Sequence, residues 1–569
     1  MEVVITFGIL ILLLLMFMGI EQYQQKQREK QFIKSLKDNY GKAPEKSYHL
    51  ERFEKIGSFY KKHPAPHQLD DITWNDLGMD DIFKRMNYSF SATGEEYLYY
   101  TLRTPGYDEE QLQRLERQVY FLMKHEEERV KVQELMHRLG YMGKYSLYDY
   151  LDHLDYLGER NNRKHFFWNF LYIPCICLMP FQFTWGVMAL IGVMLYNIVT
   201  YYKEKGEIDP YIVSFGFVQR LYLYAGKLAK MELTGFEQEQ EQIQQSCDKL
   251  KPMYRGSFWV MSPSRGNATG GNPLEVLMDY LRMVFHLDII QFNKMLDIVK
   301  RQMGDVDQLI RIVGYVETVI SIGAFRASLE HGYTRPVFTE EPTLILEEGY
   351  HPLISKPVKN SVAADGCILL TGSNASGKST FLKTVALNAV LAQTIHTATA
   401  ESYQAPMYRI VSSMALRDNL VGGESYYIVE IKAIKRILDM TGEVVGEKEQ
   451  TEPPVLCFVD EVLRGTNTVE RIAASSQILR SLSQKGALCF AATHDIELTE
   501  LLKEYYTNYH FAEEISEGDV VFNYQLRPGK SATRNAIRLL EMLGYDGDIT
   551  ERAAREAQLF TVKGTWELA

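Results

Sequence analysis

The sequence lacks the cysteine patterns of disulfide-rich or zinc-binding proteins. No CxxC pair occurs, and no histidine cluster accompanies the cysteines. Three of them lie in apolar, strand-like runs, where cysteine behaves as a small hydrophobic residue. Reduced thiols in a cytoplasmic compartment are therefore expected. The six cysteines are Cys175, Cys177, Cys247, Cys367, Cys457 and Cys489.

The sequence also lacks a basic excess. Its formal net charge is −11 and its isoelectric point is about 5.7. This balance argues against a basic surface that binds nucleic acid indiscriminately, although a few local Lys and Arg residues would suffice for phosphate contacts. The length of 569 residues indicates two or three folded units rather than one core.

Two long stretches lack any charged residue. The first, VVITFGILILLLLMFMGI at 3–20, is 18 residues long, about enough for a membrane-spanning helix. A signal peptide is the alternative, but it would need a basic leader and a small-residue cleavage site. Glu2 precedes the run instead, which favours an uncleaved anchor.

The second charge-free stretch, residues 166–202, is 37 residues long. Pro174 and Pro180 would interrupt a single helix, so two membrane helices with a short turn are predicted. The alternative is a hairpin buried in a soluble core. Basic residues flank both charge-free stretches, and the turn has none, which predicts a multi-pass cell-membrane protein with its polar regions in the cytoplasm.

The polar regions differ in periodicity. Residues 71–157 and 211–331 repeat apolar positions at helical spacing, and SRGNATGGN at 264–272 is interpreted as a connector loop. After residue 336, strand-like runs alternate with helical segments, which indicates an α/β domain with a largely parallel sheet. The predicted domains are an anchor at 1–22, a linker at 23–69, a helical core at 70–165, a transmembrane hairpin at 166–202, a second helical part at 203–335 and an ATPase domain at 336–569.

The segment GSNASGKST at 372–380 matches the phosphate-binding pattern GxxxxGK[ST]. It follows the apolar run CILLT and precedes a helical segment, which is the context that the pattern requires. Gly372 and Gly377 allow the backbone N–H groups to face phosphate oxygens. Lys378 is expected to reach the outer phosphates, and Ser379 to bind Mg²⁺.

Two further strand-like runs end in functional groups. VLCFVDE ends in Asp460, predicted to bind Mg²⁺ through water, and in Glu461, predicted to orient and deprotonate the attacking water. ALCFAATH ends in His494, a candidate for contact with the γ-phosphate. A purely structural histidine is the alternative, but three strands that end at one sheet edge favour a functional role.

The segment between these motifs discriminates among P-loop ATPases. The transporter signature LSGGQ is absent. LRDNLVGGESYYIVEIKAIKRIL at 416–438 resembles the corresponding stretch of the MutS family of mismatch-repair ATPases, although Asn419 stands where a second acid is usual. DEVLRGTNT, FAATHDIELTEL and EEGYHPLI also resemble MutS motifs, with Tyr350 in place of an arginine in the last. MNYSFSATGEEYLYYTLRTP at 86–105 resembles the start of the helical core of MutS proteins.

This resemblance implies a MutS-type, ABC-like ATPase domain that follows an all-α core. It also implies a homodimer that uses ATP and Mg²⁺ at sites shared between the subunits. Ser425 would reach the γ-phosphate bound by the other subunit. Tyr524 would stack on adenine, with a plain sheet residue as the alternative. The complete phosphate-binding set would be Gly372, Ser373, Asn374, Ala375, Ser376, Gly377, Lys378, Ser379 and Thr380.

The sequence departs from the family in its DNA-reading parts. No F-x-E wedge for a mispaired base precedes residue 70, and the hairpin occupies the region where the family has levers and a DNA clamp. The main hypothesis is a membrane-anchored MutS-family ATPase that binds DNA, without mismatch recognition being carried over. An ATP-gated membrane scaffold for a protein partner is the alternative, and a transporter subunit is a weaker one.

Overall fold

The computed structural model describes residues 2–142, 146–255, 260, 273–373, 376–414, 426–442, 452–463, 466–516, 519–530, 537, 540–541 and 544–563. The chain divides into two compact units. Unit 1 comprises Met1–Pro64, Met86–Tyr100 and Glu116–Ser328. Unit 2 comprises Ala65–Arg85, Thr101–Leu115 and Leu329–Ala569. The last segment of unit 2 begins close to the predicted boundary at 336, but two segments from the predicted helical core also belong to this unit.

The chain before residue 329 is helical, as its periodicity predicts. The helices are α1 (Glu2–Asp38), α2 (Leu50–Ile56), α3 (Ser58–Lys62), α4 (Asp71–Asp76), α5 (Met79–Met86), α6 (Ala92–Arg103), α7 (Glu109–Lys124), α8 (Glu126–Leu139), α9 (Leu147–Asp152), α10 (Arg163–Phe170), α11 (Tyr172–Leu178), α12 (Phe183–Leu228), α13 (Glu237–Tyr254), α14 (Pro273–Phe285), α15 (Leu287–Arg301) and α16 (Met303–Ala327), with a 3-10 turn at Leu154–Leu157. The predicted connector loop at 264–272 lies outside the described residues.

The core of unit 1 forms around α16, which is buried along most of its length and packs against α12, α13 and α15. Its glycines permit close helix contacts: a Cβ on Gly314 would lie 2.6 Å from the Thr93 carbonyl oxygen of α6. Two buried carboxylate contacts support the same helix. Glu317 accepts hydrogen bonds from the Phe90 N–H and the Ser91 hydroxyl, and Arg326 pairs with Glu116 at 2.7 Å.

The predicted apolar hairpin forms two arms, α10 with α11 and the first part of α12. Among the described residues, two helices are long and apolar enough to cross a membrane, Phe183–Leu228 and Met303–Ala327. The apolar window is 11% buried in the first and 83% buried in the second, which is therefore a core helix. Three transmembrane helices are thus not confirmed, and the anchor at 3–20, which lies in α1, stays a prediction.

Unit 2 contains two sheets, the helix α4, most of α5 and the helices that follow residue 329. The strands are β1 (Val337–Phe338), β2 (Leu344–Gly349), β3 (Asn360–Ala364), β4 (Cys367–Thr371), β5 (Ser402–Ala405), β6 (Arg409–Ser413), β7 (Val455–Asp460), β8 (Leu488–Ala492), β9 (Tyr506–Ser516) and β10 (Asp519–Pro528). The helices after residue 329 are α17 (Lys378–Ile395), α18 (Tyr426–Gly442), α19 (Thr468–Gln484), α20 (Glu497–Leu501) and α21 (Gly547–Lys563).

The larger sheet has six strands in the order β10-β9-β4-β8-β7-β6. All neighbours are parallel except β9 and β10, so the predicted α/β domain is confirmed. Strands β4, β6, β7 and β8 are buried throughout, because helices cover both faces of such a sheet. The smaller sheet, in the order β1-β5-β2-β3, is not predicted from the sequence. The carboxyl ends of β4, β7 and β8 meet at one edge, where the candidate site lies.

Candidate active site

The phosphate-binding loop connects β4 to α17. Gly372 and Gly377 have φ angles of +149° and +107°, which glycine adopts readily. The Lys378 side chain folds back over the loop, and its Nζ donates to the carbonyl oxygens of Gly372 and Ser373, both at 2.8 Å. Asn374 and Ala375 lie outside the described residues. The described part of the loop and its lysine therefore lie at the amino terminus of α17, as the pattern predicts.

The end of β7 brings a carboxylate to the start of α17. The Ser379 hydroxyl donates to Asp460 Oδ2 at 2.5 Å, and the Asp460 side chain is buried. These residues are 81 positions apart in the chain, and only the sheet order places them together. A hydroxyl and a carboxylate side by side are oxygen ligands of the kind that Mg²⁺ prefers.

Glu461 follows Asp460 in an unusual backbone conformation. Its φ is +56°, and its N–H donates to the Ala492 carbonyl oxygen of β8 at 2.9 Å. The Glu461 carboxylate meets His494 Nε2 at 2.5 Å. Left-handed backbone at a non-glycine residue costs free energy and is concentrated at functional sites. Glu461 and His494, two of the three predicted catalytic residues, are thus in direct contact; the third is Lys378.

These groups face a cavity of about 550 Å³. Its lining includes Ser373, Ser376, Thr380, Glu461 and His494 among the predicted residues. Ile354, Pro357 and Val358, which precede β3, add apolar surface, as does Phe511 of β9. The cavity therefore combines a phosphate-binding end with apolar walls, as a nucleotide site requires.

Tyr524 also lines this cavity, although it belongs to the edge strand β10. The register between β9 and β10 shifts between Phe522 and Leu526, and Tyr524 has a φ of +54° at this bulge. The ring lies against the loop, because a Cβ on Gly377 would be 3.2 Å from Tyr524 Cδ1. This position brings Tyr524 to the candidate site, and its contact with adenine stays a prediction.

Asn360 of β3 holds that bulge in place and was not identified from the sequence. Its Nδ2 donates to the Tyr524 carbonyl oxygen at 3.0 Å, and its Oδ1 accepts from the Leu526 N–H at 2.7 Å. One amide side chain thus satisfies both backbone groups that the bulge removes from the ladder. No local sequence signal could identify it, since its partners are more than 160 positions away.

Two further buried carboxylates hold backbone groups near the site; Glu430 belongs to the MutS-like segment at 416–438, and Asp76 was not identified from the sequence. Buried Glu430 of α18 accepts a hydrogen bond from the Leu463 N–H at 2.5 Å, in the loop that carries Glu461. Buried Asp76 of α4 accepts from the Met414 N–H at 2.8 Å, next to the predicted MutS signature segment. Residues 415–425 of that segment, with the predicted Ser425, lie outside the described part of the chain.

His351 lines the cavity opposite the loop. Its Nδ1 accepts a hydrogen bond from the Leu353 N–H at 3.3 Å, which requires this nitrogen to be unprotonated. Burial, with a smaller contribution from the Lys383 cation, lowers the pKa of His351 to about 4. His351 is therefore a neutral wall of the site at physiological pH.

The site fits a magnesium nucleotide on its own geometry. A Cβ at Gly372 would lie 3.0 Å from the Phe511 carbonyl oxygen, so the loop can take this path only with glycine there. Lys378 would supply a cation for phosphate, and Ser379 with Asp460 would supply oxygen ligands for a metal. Fold and site together define a P-loop ATPase of the doubly wound α/β class.

Comparison with known proteins finds similarity to the MutS proteins. Residues 368–561 match the family model for MutS domain V. DNA mismatch repair protein MutS of Thermus thermophilus is 34% identical over 231 residues, which cover 40% of this chain and 27% of the relative. The MutS protein of Pseudothermotoga lettingae is 29% identical over 277 residues, which cover 47% and 33%, respectively. Residues 368–561 of this chain are therefore similar to the ATPase domain of MutS proteins, and the matched part spans between about a quarter and a third of the length of these relatives.

Proposed function

We propose that this protein is a membrane-anchored MutS-family ATPase that binds DNA in an ATP-dependent manner. The observation that carries the proposal is the cluster of Lys378, Ser379, Glu461 and His494 around one cavity, with Asp460 bonded to the Ser379 hydroxyl. In a homodimer, the segment with Ser425 would complete the site of the other subunit, as the family resemblance implies. ATP binding would close the dimer, and hydrolysis would reopen it.

The roles of the residues follow from their positions. Ser379 and Asp460 would hold Mg²⁺, which when bound neutralises phosphate charge during phosphoryl transfer. Lys378 would exchange its two carbonyl contacts for phosphate oxygens. Glu461 would accept the proton of the attacking water, while His494 fixes the orientation of its carboxylate.

The hydrolysis proposal is tested with Glu461→Gln, which keeps the side-chain shape but removes the base. We expect kcat to fall by about 10²- to 10⁴-fold with ATP binding retained, the range typical for the loss of a general base. Lys378→Ala should instead abolish nucleotide binding. Glu470→Gln, at an exposed position of α19, is the matched control and should keep full activity. Full turnover by both site variants would refute the assignment.

The DNA part of the proposal rests on the relatives, which are named as DNA mismatch repair proteins. Mismatch recognition is not proposed, because the chain has no F-x-E wedge before residue 70. The test is a salt titration of binding to matched, mismatched and branched DNA, with and without ATP. A steep salt dependence with ATP-dependent affinity is expected, because phosphate contacts release counterions.

An ATP-gated membrane scaffold for a protein partner is the second candidate. The net charge of −11 favours it over a DNA-coating surface. Negligible DNA affinity at low salt, together with intact ATP hydrolysis, would support this second function and contradict the first.

The membrane part of the proposal rests on the exposed apolar surface of α10, α11 and the first half of α12. Phe181, Phe183 and Trp185 are 84%, 71% and 66% exposed, far beyond what a soluble surface normally tolerates in one place. Flotation of the full-length protein with liposomes should place it in the lipid fraction. Recovery of the protein only in the aqueous fraction would contradict membrane anchoring.

A further inference from the structure

The hairpin of α10, α11 and the first half of α12 has arms of unequal length. The short arm, residues 166–178, would span about 20 Å even if it were straight, at 1.5 Å per residue. Leu171 separates α10 from α11 within this arm. The apolar part of the long arm, residues 183–202, spans about 30 Å. Since residues 179–182 join the arms, the short arm limits how far the tip can project.

The short arm is too short to cross a bilayer. The hydrocarbon core of a membrane is about 30 Å thick. From the last charged residue, Lys164, to the end of α11 at Leu178 the helix rise is only about 21 Å. If Lys164 stays at the near surface, the tip therefore ends inside the hydrocarbon.

Contacts within unit 1 reduce the projecting length further. Asn169 Nδ2 donates to the Phe285 carbonyl oxygen at 2.7 Å, and Asn197 Nδ2 donates to the Val284 carbonyl oxygen at 3.0 Å. The end of α14 thus packs against both arms at this level.

The tip itself has the composition of a buried membrane segment rather than of a water-exposed turn. It contains no charge, and three of its aromatic side chains are more than 60% exposed. Gly186 lets the arms meet closely there, since a Cβ on it would lie 2.9 Å from the Met179 nitrogen. At the opposite end, Arg163 and Lys203 are exposed where anionic headgroups would lie, and Lys164 pairs with Glu204 at 2.5 Å.

We infer that this hairpin is re-entrant: it enters the bilayer from the side of the polar units, and its tip remains within the lipid. The inference rests on the proposed membrane anchoring and replaces the predicted pair of transmembrane helices by an insertion from one face. The partner is a lipid bilayer whose near surface carries anionic headgroups. The hairpin therefore does not reach the opposite surface of the membrane.

Cysteine accessibility in sealed vesicles tests the depth of the tip. The full-length protein would carry Cys175→Ala and Cys177→Ala, with a reporter introduced as Gln182→Cys at the exposed tip. Glu159→Cys, at an exposed position before α10, is the matched control. A membrane-impermeant maleimide would be applied from each side in turn, and again after detergent.

We expect Gln182→Cys to react at less than a tenth of the control from either side, and fully after detergent. Reaction from the side opposite to Glu159→Cys would show that the hairpin crosses the membrane; it would overturn the inference and leave the anchoring intact. Reaction from the same side as the control would show that the tip is not inserted and would also overturn the inference. Only if flotation failed as well would the membrane anchoring itself be refuted.

Discussion

Replacement of Tyr524 by alanine tests whether the bulge in β10 serves nucleotide binding. The ring lies against Gly377, and Asn360 holds the backbone that presents it. Stacking of an aromatic side chain on a base contributes about 1–3 kcal/mol by alanine substitution. Tyr524→Ala should therefore weaken ATP binding by about 5- to 160-fold. Tyr524→Phe should stay within about twofold, because the Tyr524 hydroxyl makes no hydrogen bond to the part of the chain that the structure describes.

Asn360→Ala tests whether the position of the Tyr524 ring matters for ATP binding, because this variant keeps the ring but removes the contacts that hold its backbone. It removes the two hydrogen bonds, at 3.0 and 2.7 Å, that fix the bulge, each typically worth about 0.5–1.5 kcal/mol. Tyr524 would remain but would sample other orientations, so we expect a smaller loss of affinity, by about 2- to 10-fold. A loss as large as that of Tyr524→Ala would mean that the bulge has collapsed.

The assay is displacement of a fluorescent ATP analogue from the full-length protein in detergent. Tyr545→Ala is the matched control, because Tyr545 is exposed and does not line the cavity. If Tyr524→Ala bound ATP normally while Lys378→Ala did not, the reasoning would be refuted, and Tyr524 would be only a strand residue.

Three further predictions concern the surroundings of the site. Asp76→Ala should speed amide exchange at Met414 by about 10- to 100-fold, because a hydrogen bond to a carboxylate contributes about 1.5–3 kcal/mol; hydrogen–deuterium exchange measures this. The free energy of unfolding of the wild-type protein should decrease as the pH falls from about 6.5 to about 4. In this range His351 binds a proton in the unfolded chain but not in the folded one, because its pKa is lowered in the folded state. In urea titrations at several pH values, His351→Gln should reduce this dependence on pH. In a steady-state assay, Glu430→Ala should lower kcat by about tenfold or more with little change in KM, because the Leu463 N–H loses its hydrogen-bond acceptor in the loop that bears the base. Glu430→Gln should retain most activity in the same assay, because its amide oxygen still accepts the hydrogen bond from the Leu463 N–H.

Each of these has a distinct contrary result. Unchanged exchange at Met414 would mean that Asp76 does not fix the end of β6. An equal pH slope in wild type and His351→Gln would assign the acid sensitivity to other groups. Equal losses for the alanine and glutamine variants of Glu430 would indicate that its charge matters rather than its hydrogen bond.

The chemistry-bearing residues were predictable because each follows an apolar strand. Lys378, Asp460 and His494 stand directly beyond β4, at the end of β7 and beyond β8, and a parallel sheet gathers such ends at one edge. The groups that position them were not predictable. Asn360 acts through a backbone group 164 residues away, and no pattern of residue types marks such a contact. Glu430 lies in the MutS-like segment at 416–438, but its contact with the Leu463 N–H, 33 residues away, has no local signal.

The predicted strands are all present, but the sequence did not reveal β9 or the smaller sheet. Strand β9 carries His510 and two glutamates in a run without strict alternation, and it is recognised as a strand only by pairing with β4 and β10. The strands of the smaller sheet are two to six residues long. Such short runs carry little periodicity, because tertiary pairing rather than local preference stabilises them.

The two apolar helices show what hydropathy alone cannot decide. Helices α12 and α16 both contain windows apolar enough to cross a membrane, yet one window is exposed and the other is the core of unit 1. The difference lies in their polar groups. Helix α16 buries Glu317 and Arg326 against partners on other segments, which stabilises a position inside protein and would be costly in lipid. The apolar part of α12 carries no charge before Lys203, so nothing but lipid or another apolar surface can cover it. Where two windows score alike, the pairing of buried charges therefore separates a core helix from a membrane helix.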